Sequence, residues 1–129
     1  KNLYDHLARC DLSLNADLSG LFDAHLQPGR ADLIAAADVF MYLGDLSNAF
    51  ALSASLATPG AVFAFSVEDA ATTDGFHLAP SLRYAHSENY VRIALEMAGF
   101  SLREIEHTTI RMDGGKPVHG ILFLAVRTG

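Results

Sequence analysis

Two polar side chains with catalytic potential follow an apolar run of the chain. Asp38 comes directly after the apolar residues 33–37, and Tyr42 follows four positions later. Such a run is typical of a parallel strand buried on both faces, and open α/β sheets bind ligands at the carboxyl ends of these strands. A carboxylate there could act as a general base. Alternatively, Asp38 caps the next turn and Tyr42 is a core aromatic residue.

A second group of polar and aromatic side chains consists of Arg83, Tyr84, His86 and Tyr90. Histidine titrates near neutral pH, so His86 could remove a proton or orient an acceptor. The simpler interpretation is that His86 and Ser87 open a helix and that Tyr90 packs in the core. Both interpretations remain open at this point.

Alternating strands and helices are needed to position these residues. Residues 33–37 and 61–67 each predict a buried strand, and a helix that Asp45 caps and Pro59 ends lies between them. This order is a βαβ unit, whose two strands should be parallel with a right-handed crossover.

The segments before and after this unit are patterned as well. The N-terminal residues favour a short strand that ends at Asp11, although a helix also fits, and residues 17–26 predict a surface helix. Residues 68–85 are polar and irregular, which is typical of a lid or binding loop. Ser87 then caps a helix that ends at Gly99.

The C-terminal residues predict an antiparallel pair of strands. Residues 100–111 favour a strand with a bulge, residues 113–117 form a hairpin turn, and residues 118–127 form the returning strand. No internal repeat interrupts the sequence. Residues 1–129 are therefore expected to form a single domain.

Composition and charge limit the classes of molecule with which the chain could interact. Nine Lys and Arg against fifteen Asp and Glu give a net charge of −6 without a basic block, which argues against nucleic acid. No apolar stretch approaches the roughly 20 residues of a membrane span. Cys10 is the single cysteine and cannot form an internal disulfide, so a reducing, cytoplasmic location is expected.

Several kinds of chemistry lack a motif. The six histidines lie at positions 6, 25, 77, 86, 107 and 119, and none has a second histidine three to five residues away. His6 with Cys10 offers two ligands where structural zinc needs four, so no metal is expected. The sequence also lacks the G-x-S-x-G elbow of serine hydrolases.

The order of these segments resembles the C-terminal two-thirds of a class I S-adenosylmethionine-dependent methyltransferase. The nearest likeness is to predicted methyltransferases fused to tetratricopeptide repeats. Each segment is weak alone, and their order and spacing make the resemblance specific. The segments that carry it are Cys10-Asp11-Leu12, residues 32–46 (DLIAAADVFMYLGDL), residues 59–68 (PGAVFAFSVE), Arg83-Tyr84-Ala85-His86-Ser87 with Tyr90, Ala98-Gly99-Phe100 and the turn GGKPVHG.

The resemblance implies an α/β fold with a partial Rossmann-like methyltransferase sheet. The family has seven strands in the order 3-2-1-4-5-7-6, with the seventh antiparallel. In this sequence the strand at Cys10 matches the third, residues 32–37 the fourth, and residues 61–67 the fifth. The C-terminal pair matches the sixth and seventh. The first two strands and the glycine-rich cofactor loop have no counterpart, since no G-x-G pattern occurs, and we expect a truncated domain that is inactive alone.

The resemblance also assigns roles to individual residues. Asp11 and Leu12 match the positions that contact the adenine of S-adenosylmethionine, although an aspartate at a strand end is often a turn former. Ala37 and Asp38 match the lip of the cofactor pocket.

On the acceptor side, the resemblance places Tyr42, Arg83 and Tyr84 against a small-molecule or protein acceptor of unknown identity. Methyl transfer is an in-line displacement that needs a base only if the acceptor carries a proton. Asp38 and His86 are the candidate bases.

The missing strands would belong between the strand at Cys10 and that at Ile34. Three strand spacings, roughly 14 Å, would separate the two, so we expect the N-terminal segment not to occupy the third-strand position. The exposed edge would favour a second hypothesis, a non-catalytic interaction module that forms homo-oligomers. A nicotinamide-dependent Rossmann enzyme fits poorly, because it too needs a glycine-rich turn.

Overall fold

The computed structural model describes residues 31–36, 39–71 and 74–128 of the chain. These residues form a mixed α/β fold with six strands in one sheet. The strands are β1 Ala31–Ala36, β2 Ala57–Asp69, β3 Phe76–Leu78, β4 Tyr84–His86, β5 Phe100–Asp113 and β6 Lys116–Arg127. The helices are α1 Ser47–Leu56 and α2 Glu88–Ala98, and a 3₁₀ turn spans Phe40–Tyr42.

The centre of the sheet has the order β1-β2-β6-β5. β1 pairs parallel with β2, with Ile34 opposite Phe63, and β2 pairs antiparallel with β6. β5 and β6 are antiparallel. The predicted parallel βαβ unit and the terminal antiparallel pair are both confirmed, and the order equals the family's 4-5-7-6.

The local signals at the ends of α2 and in the hairpin act as predicted, whereas Pro59 does not end α1: that helix ends at Leu56, and Pro59 lies within β2. The Ser87 hydroxyl accepts from the Tyr90 amide at 3.1 Å, and Gly99 ends α2 in the left-handed region at φ 94°. Gly114 and Gly115 both have positive φ, as a two-residue hairpin turn requires. β5 shows two register shifts against β6, so the predicted bulge is confirmed.

The prediction of a loop over residues 68–85 is wrong in part. β2 continues to Asp69, and the segment contains β3 and β4, which pair antiparallel with each other. β4 also pairs parallel with Glu68 and Asp69, beyond the end of β1. Strands of three residues are too short to show alternation in a sequence, which is why the pattern indicated a loop.

The core lies between the sheet and the two helices. Six phenylalanines form its centre, each no more than 4% exposed: Phe40, Phe50, Phe63, Phe65, Phe100 and Phe123. Phe65 stacks on Phe123 with ring centroids 5.1 Å apart, so the cluster joins β2 to β6. Apolar transfer free energy at this interface is the main stabilisation of the fold.

The face of the sheet away from the two helices is more exposed than the core face. Among the described residues, β2 is the strand that pairs with β1, and Leu33 on β1 is 65% exposed. The predicted strand at Asp11, the predicted helix at residues 17–26 and the expected displacement of Cys10 all lie outside the described residues. Within the described part of the chain, no helix is long and apolar enough to cross a membrane.

Candidate functional site

The candidate site lies at the carboxyl ends of β1 and β2. The chain leaves β1 and enters the 3₁₀ turn, whose Phe40 and Met41 are buried and whose Tyr42 is 65% exposed. Burial of the two apolar side chains pins the turn against the sheet. The Tyr42 side chain is thereby presented to solvent at the edge where α/β sheets bind ligands.

His86, at the end of β4, is fully buried beside this turn. Its Nε2 lies 2.9 Å from the Gly44 carbonyl oxygen, which can only accept, so Nε2 carries the proton and donates. The ring stacks on Tyr90 at a centroid distance of 5.9 Å. Burial lowers the pKa of His86 below 6.5, against the opposing effect of the Gly44 and Leu43 carbonyls, so the ring is neutral at pH 7.

The Tyr90 hydroxyl holds the next residues of the same segment. It accepts a hydrogen bond from the Leu46 amide at 3.0 Å and donates to Asp45 Oδ1 at 3.4 Å. Burial raises the pKa of Tyr90. His86 and Tyr90 thus hold residues 44–46 from two sides. We call the hydrogen bonds of these two side chains to residues 44–46 the bracket.

Asp45 completes the bracket at the start of α1. Its Oδ1 accepts from the Ser47 hydroxyl at 2.6 Å and from the Ser47 amide at 2.9 Å. These two hydrogen bonds, the hydroxyl's first, hold the pKa of Asp45 below its usual value. The prediction that Asp45 caps this helix is wrong, because Leu46 is the N-cap residue of α1 and α1 has no side-chain cap. Asp45 lies one residue earlier and binds the Ser47 amide from there.

Gly44 permits the close approach that the bracket requires. A Cβ atom at this position would lie 2.5 Å from Cε1 of Phe76 and 3.0 Å from Cε1 of Tyr84. The Phe76 ring also makes an edge contact with Tyr84, at a centroid distance of 6.0 Å. Any larger residue at 44 would push these rings off the segment.

A buried ion pair between Arg111 and Glu68 lies at the carboxyl end of β2, next to the 3₁₀ turn. Arg111 on β5 donates through Nη2 to Glu68 on β2, and its Nη1 lies 3.9 Å from the sulfur of Met41. Glu68 is only 7% exposed. The guanidinium therefore joins two strands and the 3₁₀ turn around one buried carboxylate.

His107 makes a more exposed link between β5, β2 and α2. Its Nε2 lies 2.9 Å from Glu88 and its Nδ1 lies 3.5 Å from Asp69. The hydrogen bond to Glu88, followed by the charge of Asp69, raises the pKa of His107. The ring is 56% exposed, so solvent screens the attraction.

Replacing Tyr90 with phenylalanine should test the bracket. The Leu46 amide loses its acceptor, and we expect a loss of about 1–3 kcal/mol of unfolding free energy. Urea denaturation measures this loss. Tyr42→Phe is the matched control, because Tyr42 is exposed, and its effect should stay within about 0.5 kcal/mol. Equal effects of the two changes would contradict the assigned role of the Tyr90 hydroxyl.

The pKa values of His86 and His107 should be shifted in opposite directions from the usual value of a histidine. By NMR, the pKa of His86 is expected below 6.5 and that of His107 above it. A depressed folded pKa means that the unfolded chain takes up the proton first. The His86 contribution to stability is therefore lost as pH falls from about 6.5 through the folded pKa.

The His107 contribution has the opposite sign. It is fully present below the unfolded pKa and is lost as pH rises through the folded pKa. Glu88→Gln should bring the pKa of His107 down and leave that of His86 unchanged. A shift of both would show that the effect does not arise from the Glu88 contact.

The predicted site residues fall into two groups. Tyr42, Arg83, Tyr84 and His86 lie in the described structure, on or beside the turn and β4. Arg83 pairs with Asp113 at 3.3 Å. The predicted cofactor contacts lie outside the described residues: Asp11, Leu12, Ala37 and Asp38. The roles of all these residues stay predictions.

Four residues of the site were missed at the sequence level: Asp45 as a site residue, Glu68, Phe76 and Arg111. Glu68 carried a faint signal, since a charged residue directly follows the buried strand at residues 61–67. Asp45 carried a signal only as a helix cap. Phe76 and Arg111 had none, because the residues they contact in the site, Gly44 and Glu68, lie far away in the sequence. Within the described residues, no three His, Cys, Asp or Glu side chains are grouped to hold a metal ion.

Comparisons with solved structures identify the fold. The chain resembles an S-adenosylmethionine-dependent methyltransferase from Methanosarcina mazei, with a TM-score of 0.65, 13% identity, and coverage of 82% of this chain and 63% of that protein. It resembles equally 1,6-didemethyltoxoflavin-N1-methyltransferase from Burkholderia thailandensis, solved with 1,6-didemethyltoxoflavin and S-adenosylhomocysteine (TM-score 0.65, 15% identity, coverage 79% and 46%).

A third similar structure is an S-adenosylmethionine-dependent methyltransferase from Mesorhizobium loti, with a TM-score of 0.63, 18% identity, and coverage of 93% and 68%. The chain spans less than two thirds of the length of the first two proteins. No protein-family model and no curated protein matches the sequence. The chain thus has part of the Rossmann-like fold of these methyltransferases.

Proposed function

We propose that this chain is the acceptor-side portion of a domain that transfers a methyl group from S-adenosylmethionine to an acceptor of unknown identity. The observation that carries the proposal is the strand arrangement β1-β2-β6-β5, with β6 antiparallel to both neighbours. The fold of the chain is similar to that of solved methyltransferases over 79% or more of its length. Fold alone does not fix an activity, so the site must supply the rest of the argument.

The geometry at the carboxyl edge suits a reaction that depends on positioning. In-line displacement at a methyl group requires the acceptor to be held against the donor, and S-adenosylmethionine supplies an already activated methyl. The bracket fixes residues 44–46, and the buried Phe40 and Met41 fix the turn that carries Tyr42. We propose that Tyr42, with Tyr84 and Arg83, contacts the acceptor.

We assign different roles to the two candidate bases. A base must come within hydrogen-bond distance of the proton it removes. His86 is fully buried and donates to Gly44, so we assign it a positioning role. Asp38 follows β1 by two residues, and we propose it as the base where the acceptor carries a proton.

The cofactor side of the proposal concerns residues beyond the described part of the chain. Asp11, Leu12 and Ala37 are proposed to contact S-adenosylmethionine in the complete domain, together with a glycine-rich loop that these 129 residues lack. We propose that the 129 residues alone are inactive for that reason. Linkage to tetratricopeptide repeats and a cytoplasmic location, which the single cysteine favours, belong to the same proposal.

Calorimetry with S-adenosylhomocysteine tests the proposal. The protein encoded by the complete reading frame should bind the ligand, and the 129-residue chain should bind it weakly or not at all. A folded complete protein that does not bind would overturn the assignment. Binding by the 129 residues with undiminished affinity would refute the inactivity of the fragment and leave the class intact.

A specific observation also favours a second candidate function, association between copies of the chain. A hollow of about 390 Å³ lies on the sheet face away from the helices and is lined by Ala64, Ser66 and Leu124, with Glu104 and Glu106 at its side. Leu33 and Leu122 on the same face are 65% and 39% exposed. Exposed apolar surface of this kind marks interaction sites.

Light scattering distinguishes this candidate. The chain should form a dimer or larger oligomer at micromolar concentration, and Leu122→Lys should shift it to the monomer. The control is Leu82→Lys, at a residue 76% exposed in the turn between β3 and β4. A wild-type monomer would contradict the interaction module and would leave the methyltransferase proposal unaffected.

A further inference from the structure

A groove on the outer surface of the two helices lies beside the site described above and shares Asp45, Ser47 and Tyr90 with it. It runs between α1 and α2, has a volume of about 610 Å³, and ends at the segment around Asp74. Small side chains form its floor, because Ala51 on α1 faces Ala94 and Ala98 on α2. The two helices therefore leave room for the side chains of a third element.

α2 is apolar on two sides, although the core accounts for only one. Val91 and Leu95 are fully buried against the sheet. Met97 is 85% exposed and Ile93 is 49% exposed, and both line the groove. Their spacing of four residues, with Tyr90 three residues before Ile93, is the i, i+3, i+7 pattern with which helices contact a partner helix. The core explains neither exposed side chain.

The groove is negatively charged at one end. Asp45 and Asp74 lie at one end of it, and no Lys, Arg or His is among the described residues that line it. The Ser47 hydrogen bonds hold the pKa of Asp45 low, so it is ionised at neutral pH. Asp74 accepts from the Ser87 hydroxyl at 3.3 Å. The groove thus offers an apolar floor and a negative end.

We propose that this groove docks a basic amphipathic helix of a partner protein. The apolar side chains of that helix would cover Met97, Ile93 and the alanine floor, and a lysine or arginine would lie at Asp45 and Asp74. Charge complementarity fixes the sign of the charge on the partner, since an acidic or uncharged helix would bring no positive charge to the two carboxylates. The proposal does not depend on methyl transfer, because the groove lies on the helical layer and is lined by none of the proposed acceptor contacts Tyr42, Arg83 and Tyr84.

The test uses a synthetic amphipathic helix of leucine and lysine as the probe. Two further peptides serve as controls, one with glutamate in place of lysine and one with the leucine–lysine composition shuffled to destroy the apolar face. Amide chemical shifts of the full 129-residue chain locate the binding surface, and a fluorescence titration gives the affinity. Met97→Lys and Asp74→Lys alter the groove at exposed positions. Met112→Lys is the matched control, since Met112 is 63% exposed on β5, outside the groove.

The lysine helix should bind and shift the amides of α1 and α2, and the two control peptides should not. Met97→Lys and Asp74→Lys should each weaken binding about tenfold, as loss of a central contact does, while Met112→Lys leaves it unchanged. The proposal is overturned if the glutamate or shuffled peptide binds equally well. Shifts confined to the open sheet face would overturn it too.

Other occupants of the groove would give different results. If a second copy fills it, wild-type chain self-associates and Met97→Lys abolishes the association without any peptide. If residues 1–30 of the same chain fill it, Met97→Lys shifts the amides of those residues and the wild type does not bind the probe. Either result refutes docking of a separate basic helix. Met97→Gln repeats the test without adding charge, in case the lysine variant loses the native amide spectrum.

Discussion

Replacing Arg111 with methionine is expected to lower the free energy of unfolding by about 3–5 kcal/mol, because it leaves a buried carboxylate without its partner. Glu68 is 7% exposed, and the Arg111 guanidinium binds it from β5, which β6 separates from β2, while its Nη1 lies 3.9 Å from the sulfur of Met41. Methionine keeps most of the length of the side chain and removes only the charge and the donors. Denaturation in urea measures the loss.

The matched control is Arg83→Met. Arg83 also pairs with a carboxylate, that of Asp113 at 3.3 Å, but the Asp113 side chain is 52% exposed. A solvated pair contributes about 0–1 kcal/mol, so this change should have little effect. Similar losses for both arginines would show that Glu68 is not desolvated as the structure indicates.

The double change Glu68→Leu with Arg111→Met separates the cost of an unpaired charge from the value of the pair. A buried pair replaced by apolar residues of similar volume is often neutral or stabilising. We therefore expect the double variant to be more stable than Arg111→Met alone. A double variant no more stable than Arg111→Met would show that the unpaired Glu68 carboxylate carries no cost. A double variant less stable than the wild type would show that the pair contributes net stability beyond its own desolvation.

The elements that sequence predicted correctly are those with local signals. Ser87 and Gly99 mark the two ends of α2, and the glycines at 114 and 115 mark the hairpin. Each signal acts within four residues of chain, through a cap or a left-handed backbone conformation. The continuous apolar runs located β1 and β2 correctly, but the predicted burial of β1 on both faces is wrong, since Leu33 is 65% exposed.

The strands β3 and β4 were not predictable in the same way. β4 exists because Glu68 and Asp69 extend β2 past the end of β1 and offer it an unpaired edge. The propensity of three residues cannot signal such an edge. Tertiary pairing therefore decided the structure of residues 76–86, and local sequence did not.

The bracket shows a similar limit for the candidate site. Sequence singled out His86 and Tyr90 as a polar-aromatic group, and the structure does bring both to one place. Their partners Gly44 and Leu46 lie 42 and 44 residues away, so the hydrogen bonds could not be inferred from spacing. The role of His86 follows from burial and from the carbonyl it meets, both of which are tertiary properties.

Replacing Phe50 with alanine should have a similarly large effect, a loss of about 3–5 kcal/mol. Phe50 is fully buried, and its ring lies 5.5 Å from that of Phe63, 5.2 Å from that of Phe65 and 5.7 Å from that of Phe40. Alanine leaves a cavity that three rigid rings cannot collapse to fill. Phe50→Leu should cost less, because leucine refills part of that volume. Ile93→Ala is the control on the other helix, at a residue 49% exposed.

The same substitution should loosen the 3₁₀ turn that carries Tyr42, a proposed acceptor contact, before it unfolds the domain. Phe40 begins the turn that presents Tyr42, and Phe50 is one of the rings that hold Phe40 in place. Without that ring Phe40 keeps its ring contacts with Phe63 and Phe65 but loses the one on the helix side. The turn keeps two backbone hydrogen bonds, from the Tyr42 amide to Val39 and from the Leu43 amide to Phe40. Amide exchange of Tyr42 and Leu43 should therefore accelerate in Phe50→Ala beyond the rate that its lower global stability explains. Exchange that rises only in step with global stability would show that the sheet, and not Phe50, holds the turn.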